Sequence, residues 1–259
     1  MAETLIVEDR GPVRVVTLNR PDRLNALSRQ LVAELGQEAR AASALRAVQA
    51  VVVTGAGDKA FSAGADLKER QTMTLDDVRD FLALYRASFG ELDRCAKPVV
   101  AALNGVAFGG GLEVALCCDL RVADPAARMG LTETRLGIIP GAGGTQRLPR
   151  LIGVARAKDL ILTGRHVGAQ EALLLGLVNR VSEPGRSVEA AVALAAQCAQ
   201  GAPIALARAL EAIDRGTDGP FESGLDVERE CYAATLLTKD REEGIAAFNE
   251  KRKPVFRGE

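Results

Sequence analysis

The chain has 259 residues, of which 47% are apolar and 26% are charged, a composition typical of a soluble globular protein. Its 33 Lys and Arg residues nearly balance its 34 Asp and Glu residues, so the net charge of −1 provides no general attraction to nucleic acid or anionic membranes. No uninterrupted apolar run approaches the roughly 18 residues needed to cross a bilayer. We therefore expect a soluble protein that is not bound to a membrane.

The five cysteines are odd in number and irregularly spaced, and no CxxC pair occurs among them. This pattern suits neither a zinc site nor a disulfide framework, so we expect reduced, mostly buried cysteines and no metal. The N-terminal segment MAETLIVEDRG carries acidic residues where a signal or transit peptide carries basic ones. The sequence therefore predicts a cytoplasmic protein.

In chain order, the first part of the sequence alternates β-rich and helical segments. Residues 4–8 and 13–18 predict a hairpin around Gly11-Pro12, and residues 28–44 predict a helix that a serine caps. Strands are then predicted at residues 50–55, 98–105 and 119–124, and helices between them at residues 75–95 and 110–119. Such alternation favours an α/β chain whose strands are joined by helical crossovers.

The last part of the chain is rich in Ala, Leu and Glu and shows no strand signal. Helical segments are predicted at residues 186–200, 203–214, 220–237 and 239–248. We place a boundary near residue 197. Residues 1–197 would then form a core with the active site, and residues 198–259 a helical lobe.

Two glycine-rich turns and the single histidine raise alternatives that their contexts disfavour. AVVVTGAGDKA at 50–60 satisfies G-x-G-x-x-A, but its continuation suits a second turn, whereas a dinucleotide-binding helix would begin at once. GIIPGAGGTQRL at 137–148 lacks the G-K-[ST] ending of a P-loop. His166 is the only histidine that could activate a Ser or Cys nucleophile, and its segment is typical of an exposed loop.

Two glutamates are the best candidates for chemistry. Glu113 lies in GGGLEVALCC, a nearly all-apolar stretch in which a carboxylate is costly to bury unless it is paired or partly solvated. The free N–H groups of a helix that starts at these glycines would favour a developing negative charge. Glu133 lies beside a further glycine-rich turn, where it could equally be a first-turn carboxylate of a short helix. Together the two carboxylates predict an acid/base pair.

Five segments in order and in register resemble the enoyl-CoA hydratase/isomerase (crotonase) superfamily. They are RPDRLNAL (20–27), KAFSAGADLKE (59–69), KPVVAALNGVAFGGGLEVALCCDLRVAD (97–124), MGLTETRLGIIPGAGGTQRLPRLIG (129–153) and FNEKRKPVF (248–256). The fourth segment is most similar to the branch containing methylglutaconyl-CoA hydratase. The resemblance implies an α/β crotonase-type spiral of β-β-α turns. It also implies a C-terminal helical trimerisation lobe, and therefore a homotrimer or a dimer of trimers.

The resemblance also implies roles for individual residues. Glu113 and Glu133 match the two catalytic glutamates of the hydratases, and the oxyanion hole falls on the backbone N–H groups of Ala65 and Gly110. Six positions match residues near CoA in the same subunit: Arg23, Leu24, Ser62, Ala63, Asp66 and Lys68. Two further positions, Phe248 and Lys251, match tail residues that reach the CoA of a neighbouring subunit. Within this set, Arg23 and Lys68 match basic residues near the CoA phosphates.

The implied reaction is syn addition of water across the 2,3 double bond of an enoyl-CoA thioester. One candidate substrate is methylglutaconyl-CoA, an intermediate of leucine and isovalerate metabolism. No cofactor is implied, because CoA is part of the substrate. We expect the acyl pocket to be lined by residues around 70–90 and 136–139.

Alternative functions remain within and outside the family. An isomerase of the family typically keeps only the glutamate that matches Glu133, so Glu113 favours hydration over double-bond isomerisation. Other crotonase-type acyl-CoA lyases have pockets that the sequence does not distinguish. The methylglutaconyl-CoA hydratase branch also includes an RNA-binding member, but the balanced charge and the 3% aromatic content disfavour RNA binding here.

Overall fold

A computed structural model describes residues 3–259, and the elements are numbered within that range. The strands are β1 (Leu5–Arg10), β2 (Val13–Leu18), β3 (Ala50–Gly55), β4 (Ala60–Ser62), β5 (Val99–Leu103), β6 (Val106–Phe108), β7 (Leu120–Ala123), β8 (Arg128–Gly130), β9 (Val167–Gly168) and β10 (Arg180–Val181). The helices are α1 (Arg29–Ala44), α2 (Leu67–Arg70), α3 (Leu75–Asp93), α4 (Gly110–Leu116), α5 (Gly144–Ile152), α6 (Val154–Thr163), α7 (Ala169–Leu175), α8 (Ser187–Cys198), α9 (Pro203–Thr217), α10 (Phe221–Ala233) and α11 (Lys239–Asn249). Two short 3-10 turns span Pro21–Arg23 and Glu133–Leu136.

The strands form two sheets that the chain visits in alternation. The first sheet has the order β1-β2-β3-β5-β7-β10, and the second has the order β4-β6-β8-β9. Strands β3, β5 and β7 of the first sheet are each followed by a strand of the second sheet and then by helical structure, whereas β10 leads directly to α8. Neighbouring strands are parallel except in the β1–β2 hairpin and the β8–β9 pair. The predicted spiral of β-β-α turns is confirmed.

The local signals that predict the first elements have the expected structural effect. The chain turns between β1 and β2 at Gly11, which has a φ of +62° that glycine adopts without steric cost. Helix α1 begins after Ser28, whose Oγ accepts a hydrogen bond from the N–H of Leu31 at 3.2 Å. Helix α3 begins with a capping box formed by Thr74 and Asp77.

The centre of the first sheet is buried on both faces, which explains the continuous apolar run of β3. Val51 and Val53 pack into the larger core cluster, whereas Ala50 and Val52 pack into a second cluster on the opposite face. Helix α8 covers that opposite face and contributes Leu194 to the second cluster. Because α8 packs on the sheet, it belongs to the core, and it ends one residue after the predicted boundary at residue 197.

The C-terminal part is helical, as the sequence predicts, and exposes large apolar side chains. Helices α9 and α10 pack against each other, and α11 is followed by a tail that returns to its own N-terminal end. There, the Asp240 carboxylate accepts hydrogen bonds from the N–H groups of Arg257 and Gly258, both at 2.7 Å. The most exposed apolar side chains of this lobe are Phe221, Leu237 and Phe248.

Several elements differ from the prediction or were not predicted. The helix predicted at 110–119 ends at Leu116, because the chain must turn before β7. The second sheet was not predicted, since its strands have only two or three residues each and show no periodicity. Among residues 3–259, no single helix is long and apolar enough to cross a membrane, although α8 and α9 together pass that test as a pair bent by 104°.

Candidate active site

Glu113 is a buried carboxylate with two backbone donors. It lies in the first turn of α4 and is only 3% exposed. Its Oε1 accepts hydrogen bonds from the N–H groups of Ala142 and Gly144, each at 2.8 Å. Burial raises the pKa of Glu113, and the two N–H groups and the charge of Arg147 oppose that rise. The donors therefore hold the carboxylate in one position and favour its ionised form.

Two glycines leave room for this carboxylate. Gly109 precedes α4 with a φ of +51° and a ψ of −126°, a backbone conformation that side chains rarely adopt. A Cβ atom on Gly144 would lie 3.0 Å from Glu113 Oε1, closer than ordinary packing permits. The glycine-rich segments around both positions thus bring backbone close to Glu113.

Glu133 is the second carboxylate of the site, and it has fewer hydrogen-bond donors than Glu113. It begins the 3-10 turn Glu133–Leu136 and is 9% exposed, and its Oε2 is buried without a hydrogen-bond partner among residues 3–259. A Cβ atom on Gly109 would lie 3.1 Å from its Oε1, so the carboxylate faces the start of α4. Burial, with a smaller contribution from the nearby charge of Glu113, raises the pKa of Glu133 to about 7. The structure brings the two predicted glutamates together.

Two backbone donors lie beside the carboxylate pair. Ala65 pairs with Leu27 in a parallel bridge in which the Leu27 N–H donates to Gly64 O and the Asp66 N–H donates to Leu27 O. The Ala65 N–H therefore points away from this pairing. Within residues 3–259, neither this N–H nor that of Gly110 donates to a protein acceptor. A Cβ atom on Gly110 would lie 3.8 Å from Ala65 N, so the two positions are adjacent.

These groups can stabilise and protonate an enolate-like intermediate. Two free N–H groups side by side, one of them at a helix N-terminus, suit an oxygen that gains negative charge. The two carboxylates, one held ionised and one titrating near pH 7, suit the removal and delivery of protons. The residues therefore form a candidate site for acid/base chemistry at a carbonyl compound.

Comparison with known proteins identifies the family. A family model described as Enoyl-CoA hydratase/isomerase matches residues 8–259. The chain belongs to the enoyl-CoA hydratase/isomerase family. Its relatives include the short-chain-enoyl-CoA hydratase of Clostridium acetobutylicum, 43% identical over 96% of this chain and 95% of that protein. Another is the mitochondrial methylglutaconyl-CoA hydratase of Rattus norvegicus, 43% identical over 97% of this chain and 81% of that protein.

Solved structures agree with this assignment. The crystal structure of an enoyl-CoA hydratase from Bacillus anthracis matches with a TM-score of 0.97 and 45% sequence identity, covering 99% of this chain and 100% of that chain. The predicted enoyl-CoA hydratase/isomerase family, crotonase-type fold and hydro-lyase class of enzyme are confirmed.

The residues predicted to approach CoA within the same subunit fall into two groups, and those of the first group are exposed or half-buried. Arg23 and Leu24 lie at the 3-10 turn after β2, and Lys68 lies on α2. Ala63 is half-buried, and its N–H donates to the carbonyl of Leu24 at 2.9 Å, which brings the two turns together. Their contacts with CoA stay predictions.

The second group is buried and occupied with internal contacts. The Oγ of Ser62 is fully buried and accepts from the N–H of Gly64 at 3.3 Å. Asp66 caps α2 and forms a 2.7 Å ion pair with Arg20. Both side chains therefore shape the turn that carries Ala65, and any contact of this turn with CoA would use its backbone or its exposed neighbours.

Sequence reasoning missed two residues that hold this turn in place. Arg20 bridges Asp66 and the carbonyl of Ala26. Asn25 is fully buried with a φ of 54°, and its Nδ2 donates to the carbonyls of Ala56 and Ala60 at 3.0 and 2.8 Å. Both lie in RPDRLNAL, and an asparagine in an otherwise apolar NAL triplet was the available signal.

The remaining sequence predictions concern the lobe and the rejected alternatives. Phe248 is 83% exposed at the end of α11, and Lys251 follows it on the same surface, so their contact with a neighbouring subunit stays a prediction. His166 is exposed, and its ring stacks on Phe108 with centroids 4.1 Å apart. After β3 and the G-x-G-x-x-A turn, strand β4 begins at Ala60, where a dinucleotide-binding protein would have a helix.

Proposed function

We propose that this protein adds water, with syn geometry, across the 2,3 double bond of an enoyl-CoA thioester. The observation that carries the proposal is the convergence of two carboxylates and two free backbone donors at the start of α4. The groups are Glu113, Glu133, Ala65 N–H and Gly110 N–H. Both hydration and isomerisation develop charge on the thioester oxygen, but hydration uses two carboxylates, whereas an isomerase needs only one base to move a proton between two carbons.

The backbone donors would bind the thioester oxygen. When the water oxygen bonds to Cβ, the conjugated carbonyl becomes enolate-like and its oxygen gains negative charge. Because the N–H groups of Ala65 and Gly110 are already placed, they lower the barrier without reorganisation, each by about 3 kcal/mol as in other oxyanion holes. The N-terminal end of α4 adds a favourable dipole at the same position.

The two glutamates would divide the proton transfers. Glu113, which two N–H groups hold in its ionised form, accepts a proton from water as the water oxygen attacks Cβ. Glu133, with a pKa of about 7, is protonated in part of the molecules at neutral pH and delivers its proton to Cα. Afterwards, exchange with solvent returns the proton from Glu113 to Glu133. Every step uses a carboxylate or an N–H group, so we propose that no metal or separate cofactor takes part.

The binding of CoA and the assembly of subunits are part of the same proposal. Arg23 and Lys68 are exposed cations beside the turn that carries Ala65, where they can meet the CoA phosphates. The exposed apolar side chains of the C-terminal lobe, such as Leu237 and Phe248, support a homotrimer or a dimer of trimers. Phe248 and Lys251 would then reach the CoA of a neighbouring subunit. We propose a cytoplasmic location from the odd, irregular cysteines, all five of which are free thiols.

Glutamine substitutions test the proposed chemistry. We expect Glu113→Gln and Glu133→Gln each to lower kcat for crotonyl-CoA hydration by about 10³-fold or more, because each removes one proton transfer. Loss of the ultraviolet absorbance of the conjugated double bond measures the rate, and isothermal titration with the product thioester measures retained binding. Glu228→Gln, at an exposed glutamate of the C-terminal lobe, is the control. Near-wild-type turnover in either active-site variant would contradict the assignment.

A second assay separates hydration from isomerisation. If the enzyme were an isomerase that uses Glu133 alone, Glu113→Gln would still convert a 3-enoyl-CoA thioester into its conjugated 2-enoyl isomer. We expect this variant to lose hydration and to gain no comparable isomerase rate. An isomerase rate above the wild-type hydratase rate would favour the alternative function.

A further inference from the structure

Tyr85 carries a buried polar group that the hydration steps do not use. Within residues 3–259, two buried side-chain atoms lack a hydrogen-bond partner: Glu133 Oε2 and the Tyr85 hydroxyl oxygen. The first belongs to the proposed acid. Tyr85 lies on α3 and is 4% exposed. Because a buried hydroxyl without a partner destabilises the folded state, a ligand that pairs with this one would be favoured.

The ring of Tyr85 is held from both sides. It stacks on Phe81 with centroids 4.5 Å apart and an interplanar angle of 20°. Phe89 meets it edge-on with centroids 5.1 Å apart. A ring packed in this way cannot swing to find a protein acceptor, so its hydroxyl is fixed in one direction.

Tyr85 lies on the side of α3 that approaches the loop binding Glu113. Leu82 lies three residues before Tyr85 and therefore on the same side of α3, and it packs on Gly141, where a Cβ atom would lie 2.8 Å from Leu82 Cδ2. The next residue, Ala142, donates its N–H to Glu113. Burial raises the pKa of Tyr85, and the charge of Glu113 raises it further, as expected for a hydroxyl close to that carboxylate.

The charge of Arg70 acts on the same hydroxyl. Arg70 ends α2, shortly after Ala65, and it is half-buried. Its guanidinium forms no ion pair or side-chain hydrogen bond in the part of the chain that the structure describes. Its positive charge acts on Tyr85 and lowers the pKa of that hydroxyl, against the effects of burial and Glu113. A guanidinium and a hydroxyl that both lack partners complement a carboxylate.

We propose that Tyr85 and Arg70 form a carboxylate-binding subsite in the acyl pocket, so that the preferred substrate is an enoyl-CoA whose acyl chain ends in a carboxylate. This inference rests on the proposed hydratase function and refines its substrate class. The Tyr85 hydroxyl donates a hydrogen bond to the distal carboxylate, and Arg70 supplies the opposite charge. An alkyl chain of the same shape would leave both groups unpaired, which is a strong form of discrimination.

A matched pair of substrates tests the subsite. The chain of glutaconyl-CoA ends in a carboxylate, and 5-methyl-2-hexenoyl-CoA carries an isopropyl group of the same shape in its place. We expect the wild-type protein to prefer the first by at least about tenfold in kcat/KM. Tyr85→Phe keeps the ring and removes only the hydroxyl, and the preference should fall about tenfold. Arg70→Gln should lower it as well.

The other tyrosine of the chain provides the control. Tyr232 is 65% exposed in the C-terminal lobe, and Tyr232→Phe should leave the preference unchanged. Tyr85→Phe should also raise Tm slightly, because it removes an unpaired buried hydroxyl. A lower Tm together with an unchanged preference would mean that the hydroxyl has a structural role, and it would overturn the subsite.

The two proposals fail in different ways. Equal kcat/KM values for the two matched thioesters in the wild-type protein, with hydration intact, would overturn the carboxylate subsite alone. If the wild-type protein hydrates neither of them and does not hydrate crotonyl-CoA, the hydratase function is overturned and the subsite with it.

Discussion

The two segments that carry the proposed catalytic glutamates place a buried carboxylate in different surroundings. At the start of α4, Glu113 accepts two backbone hydrogen bonds from the 142–144 loop and is supported by the charge of Arg147. In the 3-10 turn, Glu133 is buried next to a like charge, and its Oε2 has no hydrogen-bond partner among residues 3–259. Burial raises the pKa of both carboxylates, but only Glu113 has two backbone donors that oppose the rise. This difference is the basis for the proposed roles of Glu113 as the base and Glu133 as the acid.

Among the tests of this difference, we expect the largest change in kcat when a new side chain is placed against the Glu113 carboxylate. In Gly144→Ala, the new Cβ would lie 3.0 Å from Glu113 Oε1 and 2.9 Å from Leu131 Cδ1, so the carboxylate must shift. We expect kcat for crotonyl-CoA to fall by about 10²-fold, since catalytic groups tolerate little displacement. Gly219→Ala, whose Cβ would meet only Ser223 Cβ at 3.9 Å, is the control. A Gly144→Ala enzyme with wild-type kcat would mean that Glu113 does not need this position.

The pH dependence of kcat separates the two carboxylates. Glu133 must be protonated to act as the acid, and burial holds its pKa at about 7, so kcat should fall as the pH rises above about 7. Glu113 must be ionised, and burial raises its pKa, so kcat should also fall toward acid pH. Steady-state rates across the pH range should trace a bell. A kcat that stays level from neutral to alkaline pH would contradict the acid role of Glu133.

The strain at Glu133 should also appear in stability. Its pKa is raised from about 4.5 to about 7 on folding, so the stability that neutral Glu133 contributes is present below about pH 4.5 and is lost as the pH rises through about 7. Glu133→Gln should therefore be more stable than wild type at pH 8, by about 1 kcal/mol after solvent screening is allowed for. The two should converge at acid pH. Urea unfolding at both pH values measures this, and a constant difference would count against the raised pKa.

The smallest expected effect concerns the support of Glu113. The charge of Arg147 lowers the pKa of Glu113, and its guanidinium is bound to Asp93 by two 2.9 Å hydrogen bonds. Arg147→Met should move the acid limb of the kcat profile to higher pH, because ionised Glu113 loses a favourable charge and its pKa rises. Arg150→Met, on the exposed side of the same helix, should leave the limb in place. An unmoved limb in both would show that the two N–H donors suffice.

Much of this site could be read from the chain. The position of Glu113 in an apolar stretch after three glycines indicated a functional carboxylate, because burying a carboxylate costs free energy. The hairpin, α1 and β3 follow from local patterns of apolar residues and caps. The order and register of the five motifs indicated the family. The resemblance in turn implied an oxyanion hole formed by the backbone N–H groups of Ala65 and Gly110.

Other features depend on contacts between segments distant in the sequence. Such contacts create the second sheet, the Arg20–Asp66 ion pair and the N–H groups that bind Glu113. They also bury the Tyr85 hydroxyl, which has no hydrogen-bond partner among residues 3–259. The difference in proton affinity between Glu113 and Glu133 is of this kind too. Local sequence encodes periodicity, caps and turns, because those act over a few residues. Burial and the count of donors around a carboxylate are set only when the whole chain packs.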